Sequence, residues 1–302
     1  MAEIVSRVYA NFRGADFRGE EINLLRSPDC INVWKDYKEV DSIRTRPEME
    51  LRHSFDATVW GIYFYKVGNN DIILVHSGTK LYKIANGVKT ELYSGCNNAK
   101  SNSFIYNNYW YFKDGINYLR YDGSTITEVV GYVPTTSIGR KPAGGGSIHE
   151  DINLLTGKRI NTFLADGTSK DFYLDAQNLD TGYAPIVKVN GTVVSGYTVD
   201  YKAGKITFTT APAAPLTDGQ DNVSVEFSKT ISGYKDKINK CTLLQEFDNR
   251  VFFSGNEEFP NMIWHCALND PSYCSDLDYY NEGIDSAKVK VLVAGNNVMW
   301  VF

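Results

Sequence analysis

Apolar positions along the chain fall in short runs, and polar dipeptides separate them at regular intervals. Val59-Trp60-Gly61-Ile62-Tyr63-Phe64-Tyr65 is followed, after Asn69-Asn70, by Asp71-Ile72-Ile73-Leu74-Val75-His76. Ser77-Gly78 leads into Lys80-Leu81-Tyr82-Lys83-Ile84, and Asn86-Gly87 turns into Val88-Lys89-Thr90-Glu91-Leu92-Tyr93. Runs this short, rich in aromatic and β-branched residues and bounded by Asn, Asp and Gly, predict strands joined by tight hairpins. The cycle then restarts over residues 103–106, 109–112, 117–121 and 125–130, with turns at Asn107-Asn108, Asp114-Gly115 and Asp122-Gly123. Lys80-Leu81-Tyr82-Lys83-Ile84-Ala85-Asn86-Gly87 is matched by Asn117-Tyr118-Leu119-Arg120-Tyr121-Asp122-Gly123. Four strands at a period of ~40–45 residues are the pattern of a β-propeller blade. A serial up-and-down sandwich explains the strands but not the repeat.

The texture changes after RKPAGGGSI (140–148), a stretch with the composition of a linker. Runs around 160–164, 170–174, 186–189, 192–194, 197–201, 205–209 and 222–227 carry more Thr, Val and Asp. In the last of them Val223, Val225 and Phe227 share one face, as in a half-buried antiparallel sheet. The first texture returns with Cys241-Thr242-Leu243-Leu244-Gln245-Glu246-Phe247, Asp248-Asn249 and Arg250-Val251-Phe252-Phe253. The expected organisation is an arm and first strand over 1–53, propeller blades over 54–146, an inserted Ig-like β-sandwich over 147–233, and further blades over 234–302. The expected fold is therefore all-β. Residues 289–302 supply two strands of a further cycle, so the chain is expected to stop inside a blade, as a piece of a longer protein or one that another chain completes.

Composition narrows the picture. The 20 Tyr, 15 Phe and 25 Gly suit strands and tight turns, and 22% charged with 43% hydrophobic residues excludes bulk disorder. No run of ~18 apolar residues predicts a membrane span, and the N-terminal residues lack the pattern of a signal peptide. Net charge is -5 and Lys and Arg are scattered, so specific nucleic-acid binding is not expected. Cys30, Cys96, Cys241, Cys266 and Cys274 are odd in number and irregular in spacing, which suggests free thiols in a reducing compartment. His53, His76, His149 and His265 are dispersed, and His149-Glu150-Asp151 reads as a solvated charge cluster. No metal or cofactor is expected.

Phosphate, dinucleotide and nucleophile-elbow loops are missing. Ser54-Phe55-Asp56-Ala57-Thr58-Val59-Trp60 begins like the Asp-box turn of sialidase propellers, but it lacks the Gly, places Trp one residue early and does not recur. Asp270, Asp276, Asp278 and Glu282 lie near Trp264, Tyr273, Tyr279 and Tyr280, a composition that serves glycoside hydrolysis but equally makes turn acids and packing aromatics. No catalytic residue is therefore assigned. The aromatic-basic-glycine pieces of the arm make Phe12, Arg13, Phe17, Arg18 and Trp34 candidate partner contacts. Tyr183 and Tyr197, with Tyr201, are candidates on the sandwich for a host glycan or surface receptor, with core packing the competing assignment.

Two longer stretches carry a resemblance. Residues 26–37, Arg-Ser-Pro-Asp-Cys-Ile-Asn-Val-Trp-Lys-Asp-Tyr, then Thr45-Arg46-Pro47, resemble the opening of tail and connector β-propeller proteins of tailed bacteriophages, with Glu48 where that family has Gly. Residues 254–280, with Gly255-Asn256, Pro260-Asn261, Trp264 and Leu268-Asn269-Asp270-Pro271, resemble a blade segment of the same family. Tyr197-Thr198-Val199-Asp200 and Gly204-Lys205-Ile206-Thr207-Phe208 are similar to modules of phage tail proteins. The nearest type is the stabilisation or tail-hub protein. The resemblance implies a non-enzymatic virion component made in the host bacterial cytoplasm and placed in the tail or at the head-tail junction. It also implies contacts with portal, connector or tail subunits and a homo-oligomeric ring. The expected result of a glycosidase assay is no turnover; hydrolysis abolished by Asp276→Asn or Asp278→Asn would replace the scaffold with an enzyme.

Overall fold

In a computed structural model the chain is described at residues 33–35, 43–45, 50–284 and 287–302. Residues 1–54 and 55–302 are separate units. The first contains an antiparallel hairpin of β1 (Val33–Lys35) and β2 (Ile43–Thr45). The second begins with β3 (Val59–Val67), β4 (Asn70–Ser77), β5 (Lys80–Ala85) and β6 (Val88–Ser94), a four-stranded meander in sequence order. β7 (Asn102–Tyr106), β8 (Tyr109–Lys113), β9 (Tyr118–Tyr121) and β10 (Ile126–Glu128) repeat it. Next come β11 (Thr135–Arg140), β12 (Ser147–Ile148), β13 (Lys158–Phe163), β14 (Asp171–Tyr173) and β15 (Ile186–Val189). β16 (Thr192–Val193), β17 (Tyr197–Asp200), β18 (Lys205–Phe208) and β19 (Val223–Ser228) complete the insertion. These strands form a six-stranded sheet, β12-β11-β13-β19-β15-β16, and a three-stranded sheet, β14-β18-β17. Helix α1 (Tyr234–Asn239) leads into a third meander of β20 (Leu243–Phe247), β21 (Arg250–Ser254), β22 (Met262–His265) and β23 (Tyr279–Asn281). A two-stranded sheet of β24 (Leu292–Gly295) and β25 (Val298–Val301) follows.

The expected all-β class is found, as several antiparallel sheets. Hairpins close where Asn and Gly accept the left-handed backbone: Asn86-Gly87, Asn107-Asn108, Asn190-Gly191, Asp248-Asn249 and Asn296-Asn297 have positive φ at both positions. That geometry matches the right-handed twist of the flanking strands.

A sheet between two others must be apolar on both faces, and the second and third meanders are. Trp110, Phe112, Leu119 and Tyr121 pack on Tyr65, Ile72, Leu74 and Leu81 of the first meander. The alternate residues Phe104, Tyr111 and Tyr118 pack on Val251, Phe253 and Trp264 of the third. The third meander's other face, with Phe252 and Ile263, meets Leu292, Met299 and Val301. Each such side chain stabilises by roughly 1.5–3 kcal/mol when fully buried. The first strands lie beside one another in the order β3, β7, β20, β24. Of the tryptophans in these sheets, Trp110 and Trp264 are buried. Trp60 is only half-buried, its indole N–H donating to Asn98 Oδ1 at 2.7 Å, and Trp300 is exposed.

Residues 140–148 are not a free linker. β11 pairs with β12, Ser137 opposite Ile148, and runs parallel to β13, whereas every other ladder among the described residues is antiparallel. The Arg140 guanidinium is buried, donating to Ser137 Oγ at 3.0 Å, Gly145 O at 2.7 Å and Tyr173 O at 3.0 Å. The six-stranded sheet thus draws in residues before the expected 146/147 boundary. Residues 150–156 behave in the opposite way. They lie within the expected sandwich, yet Leu154 and Leu155 are buried in the core between the second and third meanders. Asn153 fixes them there: its amide donates to Tyr132 O at 2.9 Å and Ser272 O at 2.8 Å, and its Oδ1 accepts from Leu155 and Cys274 N–H, both at 3.1 Å. The insertion is therefore joined by three passes of chain, near residues 130–134, 149–157 and 229–233.

Two deletions separate these assignments. Removing 147–232 in one piece takes Asn153, Leu154 and Leu155 from the core and is expected to unfold the meanders. Removing 136–149 and 158–228 as two cuts, each closed by a short Gly/Ser link, is expected to leave them folded. The cut ends are adjacent, since Glu150 N–H donates to Thr135 O at 3.0 Å and Lys229 N–H to Gly157 O at 2.8 Å. Asn153→Ala orphans buried backbone groups and should cost about 2–5 kcal/mol in urea unfolding. Loss of sheet circular dichroism in the two-cut variant, or an unchanged midpoint for Asn153→Ala, would contradict this account.

Candidate partner surfaces

Phe12, Arg13, Phe17 and Arg18 lie outside the described residues, and Trp34 is placed only as a position in β1 opposite Arg44. The tyrosines of the insertion do not form one platform. Tyr183 lies beside Glu226, on the outward-alternating side of β19; its hydroxyl donates to the Glu226 carboxylate, and the Lys158 ammonium sits 4.5 Å from its ring centroid. Burial, and then the Glu226 carboxylate, raise the phenol's pKa. Tyr197 packs on the inner core instead, edge-on to Phe208, with its hydroxyl donating to Pro185 O at 2.5 Å. Tyr201 packs on the same core.

The acids near the third meander are also dispersed. Asp270 accepts from the Ser272 N–H at 2.8 Å and hydroxyl at 2.6 Å, closing a turn. Asp276 accepts weakly from Tyr234, 3.4 Å away, and burial followed by the neighbouring Asp151 carboxylate raises its pKa. Asp278 lies 4.0 Å from His265 Nδ1. Trp264 faces the buried core, while Tyr280 stands opposite Ile263 on the other face of the sheet. A cavity of about 260 Å³ lies at the root of the insertion, between Leu154, Leu155, Gly157, Lys229, Thr230 and Tyr234. Among the described residues no group of three or more His, Cys, Asp or Glu is placed to share a metal ion.

Exposed large apolar side chains stand on the outer faces of the first meander and of the β24–β25 sheet. The first meander buries the face carrying Tyr65, Ile72, Leu74 and Leu81. Its other face carries two cross-strand rows, Ile62–Val75–Tyr82 and Phe64–Ile73–Ile84. Ile62 is 59% and Phe64 73% exposed, but Val75 is buried and the Tyr82 ring is packed edge-on by Phe55, ring centroids 5.3 Å apart. A cavity of about 480 Å³ opens beside Phe64, Ile73, Ile84 and Ile105. At the far end, Leu292, Met299 and Val301 point to the third meander. Val293 and Trp300, paired across the hairpin, point the other way with Val298, and Trp300 is 51% exposed. Sequence reasoning expects an exposed apolar surface at Trp300-Val301-Phe302 but missed the exposed Ile62 and Phe64, because a run such as Val59-Trp60-Gly61-Ile62-Tyr63-Phe64-Tyr65 is apolar nearly throughout and does not say which side a neighbour covers.

Between the second and third meanders lies a charge that the pattern did not suggest. Lys113 is buried, its ammonium donating to Ile238 O at 2.7 Å and Asn239 O at 3.2 Å, the orphan carbonyls at the end of α1. Burial lowers its pKa from 10.5 to about 8, against the raising influence of Cys241 and Asp114. The thiols of Cys96, Cys241, Cys266 and Cys274 are free and buried, and burial raises them, Cys266 to about 11 and Cys96 and Cys241 to about 12. Cys30 lies outside the described residues. His76, also fully buried, contacts Gly78 O through Nε2 at 3.0 Å and Ser101 Oγ through Nδ1 at 2.8 Å. The carbonyl requires an Nε2–H, so the Ser101 hydroxyl donates to Nδ1, and Tyr63 donates to Ser101 at 2.7 Å.

No protein-family model matches the chain, and no curated protein or solved structure is similar to it.

Lys113 makes a pH prediction with a defined sign. Its folded pKa lies below its unfolded one, so between about pH 8 and 10.5 the unfolded chain holds a proton that the folded chain lacks. Stability from this group therefore rises across that window, by about 3 kcal/mol. The buried thiols, raised above their unfolded pKa, act oppositely as pH climbs, so the readout is a difference. Unfolding free energy of the native chain minus that of Lys113→Met should increase by about 3 kcal/mol from pH 8 to 10.5. Parallel curves for the two proteins would show that the ammonium is not buried.

Proposed function

We propose that this chain is a structural component of a tailed-phage particle, a head-to-tail connector or tail-hub protein that works as a rigid scaffold. Its meanders are blades of a β-propeller, and its double-sheet insertion is an Ig-like sandwich. The observation that carries the reading is the arrangement of the sheets. Their first strands lie side by side in chain order, and the second and third sheets each pack one face on the preceding sheet and the other on the following one. That is how blades are set around an axis. The insertion, rooted at the joint of the second and third blades, adds a stiff projection, and projections on rigid scaffolds are where contacts are usually carried. Motifs such as Leu268-Asn269-Asp270-Pro271 and the opening residues 26–47 favour the phage setting. In that setting the chain meets portal, connector or tail subunits and further copies of itself in a ring, with no reaction to catalyse.

Immunogold labelling of particles purified from the phage or prophage that encodes the chain tests the proposal. Label at the tail or the head-tail junction is expected. Particles free of label, with the protein abundant in the same lysate, would overturn it.

A further inference from the structure

We infer that the insertion binds a neutral saccharide in a cavity of about 420 Å³ framed by Thr162, Asn190, Leu216, Gln220, Asp221 and Ser224. Neither the blade arrangement nor the phage setting proposed above is needed for it.

The cavity lies at the end of the β13–β19 ladder remote from the root, where Phe163 stands opposite Val223. Thr162 and Ser224, paired across that ladder on its outward-alternating face, form the floor. The Asn190-Gly191 turn makes one wall and residues 215–221 the other. The walls are held before any ligand arrives. The Asn222 amide donates to Ala213 O at 2.8 Å and its Oδ1 accepts from Ala165 N–H at 3.0 Å, while Asn190 N–H donates to Asn222 O at 2.7 Å. A site already formed loses little ordering entropy on binding.

Asp221 sets the chemistry. Its Oδ2 accepts from Gly139 N–H at 2.8 Å and from the Thr162 hydroxyl, which fixes the carboxylate. Its Oδ1 is buried and has no partner among the described residues. An acceptor withdrawn from water without a donor carries its full desolvation cost, which a ligand hydroxyl offsets. No Lys, Arg, His or second carboxylate lines the cavity, so neither an anion nor a divalent cation is the matching ligand. Asn190, Gln220 and Ser224 add groups that both donate and accept. Pro215 and the fully exposed Leu216 supply an apolar edge. Hydroxyls on one side and a C–H face on the other are what a pyranose ring presents, and the volume is that of a small-molecule site. Tyr183 and Tyr197, the residues expected to serve such a ligand, lie outside this lining.

The test is an NMR titration of the whole ¹⁵N-labelled chain with the methyl glycosides of glucose, galactose, mannose and N-acetylglucosamine. At least one of them is expected to move the amide signals of Gly191, Asn222 and Ser224 saturably. Asp221→Asn keeps an oxygen for Thr162 and Gly139 but turns the unpartnered acceptor into a donor, so affinity should fall by about 10- to 100-fold. Ser224→Tyr fills the floor and should abolish binding. Circular dichroism checks the fold. Should either variant be unfolded, Leu216→Ser, at a fully exposed position, retains it and should weaken binding in the same assay. No saturable shift with any of the four glycosides overturns the inference, as does an Asp221→Asn chain that binds like the native one. Calcium chloride without sugar is expected to leave these signals in place; if it moves them, the cavity is a cation site and the saccharide assignment falls.

Discussion

A β-sheet placed between two others has no solvated side, and this constraint shapes most of what is seen in this chain. It removes the alternation of apolar and polar residues that marks an ordinary half-buried strand. It fills β8 with Trp110, Tyr111 and Phe112 in succession, two rings serving one neighbour and the third the other. It also sets charged groups that enter the series against partners, although the buried Trp110 indole N–H finds none among the described residues. Asp114 accepts from the Asn97, Ile116 and Asn117 N–H groups, and Lys113 is spent on the carbonyls that α1 leaves unpaired.

The insertion obeys a different rule. Its core, with Phe163, Phe172, Ile206, Val225 and Phe227, belongs to it alone, so its two sheets do not need the meanders in order to bury their apolar faces. What binds the two bodies is local: an asparagine that satisfies four backbone groups and two leucines carried into a foreign core. Fixed orientation thus comes from a few residues at the root.

Much of this was legible in the sequence. Asn-Gly and Asn-Asn pairs mark hairpins because the left-handed backbone they adopt is costly for most other residues, and Asn86, Asn107 and Asp248 sit where that logic puts them. β11 was hidden because its buried side chains are Thr136, Ser137 and Arg140, held by hydrogen bonds rather than by hydrophobicity, and because glycines and prolines around it imitate a linker. α1 spans six residues and shows one buried aliphatic, too little for a helical period. Asn153 carries no pattern at all. Its weight comes from partners distant in sequence, which only the folded chain brings together. Likewise, the tyrosines that looked like a recognition platform are divided between a core and an outer face, a distinction that residue type alone does not contain.

The root of the insertion also has a mechanical meaning. Asn153 bridges to Ser275 in antiparallel fashion, Leu154 N–H donates to Cys274 O at 2.8 Å, and Asp276 N–H donates to Ile152 O at 2.9 Å. These bonds form a short clasp between the arm of the insertion and the loop that precedes β23. A pull along the clasp loads its bonds together in shear, whereas a pull across it opens them one after another. The insertion is thus a lever whose fulcrum lies between the second and third meanders, and a torque on its tip enters the middle of the sheet series, where both neighbours brace it, rather than an end.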